Sequence, residues 1–214
     1  MYNEPIMRPV RKRQASGASF ASSGTFAYND WLTMNKVIAL VGMAGSGKSE
    51  VSRCFEKAHY ARVRFGDITD REVRRRGLEL NEQNERQVRE TLRREHGMAA
   101  YAKLNLPRID KALANGNVVV DGLYSWEEYI LLKEYYGEKF MVTAVWASPD
   151  TRYRRLAGRK ERPLTREEAA GRDRAEIEKI NKGGPIAMAD FTILNEASLE
   201  ELMINTTKII EALK

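Results

Sequence analysis

An apolar run, KVIALV at residues 36 to 41, leads straight into Gly42-Met43-Ala44-Gly45-Ser46-Gly47-Lys48-Ser49. Three glycines in six residues allow neither a continuing strand nor a helix, so the chain must turn tightly here. Beyond the turn, Val51, Cys54, Phe55 and Ala58 recur at i, i+3, i+4 and i+7, one face of a helix. Glycine, four residues, glycine, lysine and a hydroxyl between a strand and a helix form a phosphate cradle: backbone N–H groups gather on one side, the helix N-terminus adds positive partial charge, and Lys48 reaches the terminal phosphates. Ser49 is the expected magnesium ligand, and residues 42 to 49 with Glu50 are the expected nucleotide contacts.

Four further β-rich runs follow: ARVRF (61 to 65), NVVVD (117 to 121), FMVTAVW (140 to 146) and DFTIL (190 to 194), with helical stretches between them. Strands alternating with helices predict a parallel α/β sheet, and the continuously apolar first, third and fourth runs predict strands covered on both faces. At 214 residues the chain fits one main domain. No run approaches the roughly 18 apolar residues of a membrane span. Cys54 has no second cysteine to pair with, and the N-terminus lacks a secretory apolar stretch, so a reducing cytoplasm is expected. The net charge of +6 points to an anionic partner. Residues 1 to 33 are small, polar and aperiodic, and are expected to be disordered, with Met34 a candidate translation start. If Met34 is the start, the intact mass of the native protein will lack those residues.

The strand reading VVVDG carries Asp121, suited to orient magnesium or its water, but has no following glutamate to polarise an attacking water. Guanine specificity would call for Asn-Lys-x-Asp, whereas the nearest string, Asn181-Lys182-Gly183-Gly184, ends in glycine. This pattern favours a small-molecule kinase, in which an acceptor is brought to the terminal phosphate. Asp67, just past the second strand, is the expected acceptor-orienting group or base, with a helix-capping role as the alternative. Arg71, Arg74, Arg86 and Arg93 lie where an acceptor would bind. However, Glu82 with Arg86, Glu85 with Arg89 and Glu90 with Arg94 stand at i, i+4, the spacing of a solvated helix.

Arg152, Arg155 and Arg159 share one helical face without acidic partners at matching spacing, which suggests an anion. Pro163 should break that helix, and Thr165 with Glu168 should cap the next, giving a helix-loop-helix lid that includes Arg172. Tyr124 and Trp126 read as core aromatics or base-stacking groups, and His59 and His96 carry no assigned chemistry. A nucleotide-gated regulatory or RNA-binding ATPase is the alternative reading, disfavoured because aromatic residues do not interleave the basic stretches.

Taken in order, VGMAGSGKSEV, RFGDITDREVRRRG, RREHGMAAYAK, VVVDG, ASPDTRYRRLAGR and ADFTILNEASLEEL resemble the dephospho-CoA kinase and nucleoside monophosphate kinase group of P-loop kinases, especially a mainly archaeal dephospho-CoA-kinase-like subgroup. The likeness runs over about residues 36 to 212. It implies a three-layer P-loop NTPase fold with a five-stranded parallel sheet, a helical acceptor insertion near 68–112 and a lid near 152–182. It also implies ATP and Mg2+ as cofactors and a nucleoside monophosphate or dephospho-CoA as acceptor. By the same resemblance, Asp67 contacts the acceptor ribose, Arg159 is a lid arginine and Asn195 lies near adenine. The sequence departs from the group in two places: Phe65-Gly66-Asp67 replaces the usual Asp-x-Asp, and Gly122 leads into Leu-Tyr-Ser-Trp rather than a nearby proline-arginine pair. These departures leave the acceptor open.

Overall fold

β-branched residues occur in every one of the runs and favour extended backbone, and in the computed structural model all five runs are strands. The structure describes residues 6–7, 34–160 and 163–214. Ile6–Met7 (β1) pairs antiparallel with Thr192 and Phe191 at one edge of the sheet. The rest of the expected disordered segment lies outside the described residues. Val37–Val41 (β2), Ala61–Arg64 (β3), Val118–Asp121 (β4), Phe140–Trp146 (β5) and Phe191–Leu194 (β6) form a five-stranded parallel sheet. The strand order is β1-β6-β5-β2-β4-β3. β2 and β4 are buried at every residue, as their unbroken apolar character requires, whereas the edge strand β3 buries only Val63.

Helices cover both faces. Lys48–Lys57 (α1) packs Val51 and Phe55 beside Ile38, Leu40 and Ile193, together with the last helix, Leu199–Ala212 (α9). Cys54 joins that layer as a partly buried residue, and burial pushes its thiol pKa up, as befits an inert core cysteine. Asp67–Arg75 (α2), Glu82–His96 (α3) and Ala100–Leu113 (α4) fill the span between β3 and β4, and Trp126–Tyr136 (α5) follows β4. Val73, Val88, Tyr101, Ile109 and Leu132 from these helices close the other face over Val37, Ala39 and Val120. Tyr124 packs edge-on against Phe65 and Tyr101, and Trp126 stacks on Tyr129, which is the core role.

On α3 only one of the three anticipated i, i+4 pairs is formed, Arg89 with Glu85 at 3.5 Å. Arg86 instead bonds Glu90 at 3.1 Å, and Arg89 reaches Glu82 at 2.6 Å. Glu82 also faces Arg172 at 3.6 Å, a partner from a distant helix that helical spacing could not reveal.

After β5 come Pro149–Ala157 (α6), Arg166–Glu178 (α7) and the short Gly183–Ala187 (α8). Thr165 and Glu168 form the expected capping box of α7. The end of α6 corrects the sequence reading, because the helix stops at Ala157 with Gly158 as its cap, five residues before Pro163. A second correction concerns Arg152. Far from being an unpartnered surface cation, it is 4% exposed and forked onto Asp173 of α7, with NH1 and NH2 donating to Oδ1 and Oδ2 at 2.9 and 2.6 Å. Its other donors meet the carbonyls of Ala44 at 3.2 Å and Ala147 at 3.1 Å. Removing one member of a buried, hydrogen-bonded pair strands the other charge, so Asp173→Ala is expected to destabilise the fold by about 3 kcal/mol, measured by urea unfolding.

Candidate functional site

The loop joining β2 to α1 lies at the carboxyl end of the central strand, between β4 and β5, where open parallel sheets hold their ligands. None of its three glycines has room for a side chain. A Cβ on Gly42, at φ 150°, would strike the carbonyl oxygen of Val145, and one on Gly47, at φ 103°, would strike the amide nitrogen of Asn195. That amide is engaged with the loop itself, since Asn195 Nδ2 donates to Ser46 O at 2.8 Å. Asn195 is in turn held by Arg155, whose NH1 donates to the Asn195 carbonyl at 3.0 Å and whose NH2 approaches Oδ1 at 3.4 Å.

A groove of about 380 Å³ opens beside these residues, lined among others by Gly47, Lys48, Ser49, Arg155, Arg159 and Asn195. Sequence reading placed all six in the nucleotide site, and the structure brings them to one groove. Arg159 enters it from the turn just after α6 rather than from the helix. Glu50 also lines the groove and is ion-paired with Arg53. Met43 and Ala44 contribute carbonyls that anchor Lys48 and Arg152.

Lys48 folds back over the loop, its Nζ donating to the carbonyls of Gly42 at 2.7 Å and Met43 at 2.9 Å. Burial, followed by the nearby Lys182 ammonium, lowers its pKa to about 7. Asp121 ends β4 and is 7% exposed. Its Oδ2 accepts Arg62 Nε at 3.2 Å and NH2 at 2.5 Å. Ser49 and Asp121 offer a hydroxyl and a carboxylate, hard oxygen donors of the kind Mg2+ takes alongside phosphate oxygens and water, so this donor set fits the ion. Arg62 would have to share Asp121.

On the other side of β4 sits a second cavity of about 310 Å³, lined by Asp67, Asp70, Arg71, Arg74 and Arg108. Asp67 is the first residue of α2, and its side chain makes no cap; instead Oδ1 accepts Arg64 at 3.1 Å and Oδ2 accepts Arg108 at 2.8 Å. Arg64 also binds Asp70 at 2.6 Å. Arg86 does not line this cavity, and Arg93 lies over the Tyr101 ring at 5.3 Å.

Sequence reading missed Arg64, Arg108 and Arg62. The first and last were visible as period-two cations flanking Val63 in ARVRF, an alternation that sets both on one side of an edge strand. Arg108 gave no local signal, being brought in from α4 by tertiary packing. Among the described residues no group of three or more His, Cys, Asp or Glu side chains is placed to hold a metal ion.

A UPF0200 protein of Thermococcus kodakarensis is 37% identical over 180 residues, covering 82% of this chain and 96% of that one. A UPF0200 protein of Pyrococcus furiosus is likewise 37% identical, covering 81% and 95%. The chain belongs to the UPF0200 family. A family model described as an AAA domain matches residues 38–179. Among solved structures, a shikimate kinase from Bacteroides thetaiotaomicron aligns with a TM-score of 0.55 at 16% identity, over 83% of this chain and 98% of that one. A gluconokinase from Sinorhizobium meliloti aligns at 0.51 and 17%, over 84% and 96%. This UPF0200 chain therefore has the kinase-like P-loop fold. No helix among the described residues is long and apolar enough to cross a membrane.

With its pKa at about 7, Lys48 is mostly neutral at pH 8, and a phosphate beside it favours the charged form. Nucleotide binding at pH 8 is therefore expected to take up a proton. Calorimetry in buffers of different ionisation enthalpy should show that uptake, and Lys48→Met should abolish it.

Proposed function

We propose that this UPF0200 protein is an ATP-dependent phosphotransferase acting on a small nucleotide or nucleotide-like acceptor, such as a nucleoside monophosphate or dephospho-CoA. The observation that carries this reading is the pair of cavities at the carboxyl end of the sheet. One is built on the phosphate loop, and the other is built on Asp67 with Arg71, Arg74 and Arg108. The kinase-like fold of the solved neighbours agrees with it.

In this reading the loop from Gly42 to Ser49 cradles the donor phosphates, and Lys48 leaves the Gly42 and Met43 carbonyls for the terminal phosphates. Arg155, Arg159 and Asn195 hold the nucleoside side of the groove. Ser49 and Asp121 hold Mg2+, which neutralises charge on the phosphates. Asp67 orients the acceptor oxygen and receives its proton. The pairing of Asp67 with Arg64 and Arg108 fixes the carboxylate's direction. The arginines of that cavity suit an anionic acceptor, since planar guanidinium grips carboxylate and phosphate.

Screening nucleoside monophosphates and dephospho-CoA with MgATP should reveal an acceptor that raises ADP release above the acceptor-free rate. With that acceptor, Asp67→Asn is expected to lower kcat by about 100-fold or more. If no acceptor stimulates turnover, the phosphotransferase reading fails.

A further inference from the structure

Lys182 belongs to no cavity described above, yet it is one of the most buried cations of the chain, at 2% exposed. Burying an ammonium requires a counter-charge, and Glu176 supplies it at 2.7 Å. The same carboxylate accepts Arg172 Nε at 3.2 Å. Burial alone would raise the Glu176 pKa; Lys182 and then Arg172 outweigh it and hold the carboxyl down at about 2.

The surroundings locate this cluster. Lys182 Nζ lies 5.5 Å from the centre of the Tyr124 ring. The Tyr124 hydroxyl covers Gly122, so closely that a Cβ there would stand 2.6 Å from it. Gly122 directly follows Asp121 at the carboxyl end of β4, whose neighbour is the strand feeding the phosphate loop. The backbone holds the same position, because Ile180 O accepts Trp126 N at 3.3 Å and Gly184 sits against the Trp126 ring. Glu176 thus bonds both Lys182 and Arg172, and Lys182 also acts electrostatically on Lys48 and on the buried Glu128.

We propose that Lys182 is a second cation of the phosphoryl-transfer site, exchanging Glu176 for the oxygens of the terminal phosphate when ATP binds. The inference rests on the phosphotransferase reading for its chemistry. In the transfer, the bond between the γ-phosphorus and the β,γ-bridging oxygen breaks, and its electron pair leaves with ADP. A new bond forms from the acceptor oxygen to phosphorus, and where that oxygen is a hydroxyl its proton passes to Asp67. Lys182 offsets charge on the equatorial oxygens, together with Lys48. Glu176 is a positioning residue: its carboxylate marks, by the two cations that bond it, Lys182 and Arg172, where an anion sits in the resting site.

The test uses the full chain with Mg2+ and titrates ATP, ADP, and ADP with aluminium fluoride. Lys182→Met should weaken ATP and ADP–aluminium fluoride by about tenfold or more while ADP alone changes little, because only the first two place a group at the γ-position. Lys182→Arg should restore part of the loss. Glu176→Gln, which keeps the shape and removes the charge, should tighten ATP relative to ADP, and it decides the matter if Lys182→Met does not fold. Unchanged ATP and aluminium fluoride affinities, an equal loss for ADP, or no effect of Glu176→Gln would overturn the proposal. No acceptor is present in these titrations, so a failed acceptor screen sinks the phosphotransferase reading and leaves the role of Lys182 to be decided here.

Discussion

Arg152 is the side chain on which the arrangement of the site depends. One guanidinium joins four pieces of chain: the phosphate loop through Ala44, the end of β5 through Ala147, its own helix α6, and α7 through Asp173. Four of its five N–H donors are used inside the protein, where a low dielectric strengthens each bond and makes any missing one costly. The loop is thereby fixed to α6 and α7, and the groove lined by Arg155 and Arg159 inherits its position from that fixation. Gly45 shows how closely the pieces approach, since a Cβ there would meet the Arg152 carbonyl at 2.8 Å.

The cations around the phosphate loop share a second property. Lys48 rests on two carbonyls, Arg62 on Asp121, Arg64 and Arg108 on Asp67, and Lys182 with Arg172 on Glu176. All but Lys48, which rests on carbonyls, are neutralised locally by a carboxylate. A net charge of +6 is compatible with a stable fold because the basic residues at its centre are paired rather than opposed. The Glu82 contact with Arg172 carries this pairing across from α7 to α3, so that the helices flanking the two cavities meet through charge as well as packing.

How legible these features were in the sequence follows from how local each signal is. The phosphate loop, the five strands and the capping box at Thr165 depend on residues a few positions apart, and their spacing carried the information. Asp67 was legible because strand ends and helix starts can be located from periodicity. Arg152 was misread because its partner lies 21 residues downstream on another helix, and helical spacing tests only neighbours at three and four residues. Lys182 stood in a string that failed as a guanine motif, Asn-Lys-Gly-Gly, and nothing in its local context marks it as buried. Its burial is a product of α7 and α8 folding over Tyr124, a tertiary fact with no periodic signature.

A site whose cations are already paired imposes a condition on what can enter it. A ligand that satisfies a single cation gains one charged hydrogen bond and strands a carboxylate, which is unfavourable when that carboxylate is buried. A polyphosphate differs, because it can meet several cations at once. Asp121 is such a carboxylate, buried and already accepting Arg62. Selection for a multiply charged ligand therefore does not require a rigid, empty mould. It arises from the resting ion pairs, each of which a weaker anion cannot profitably break.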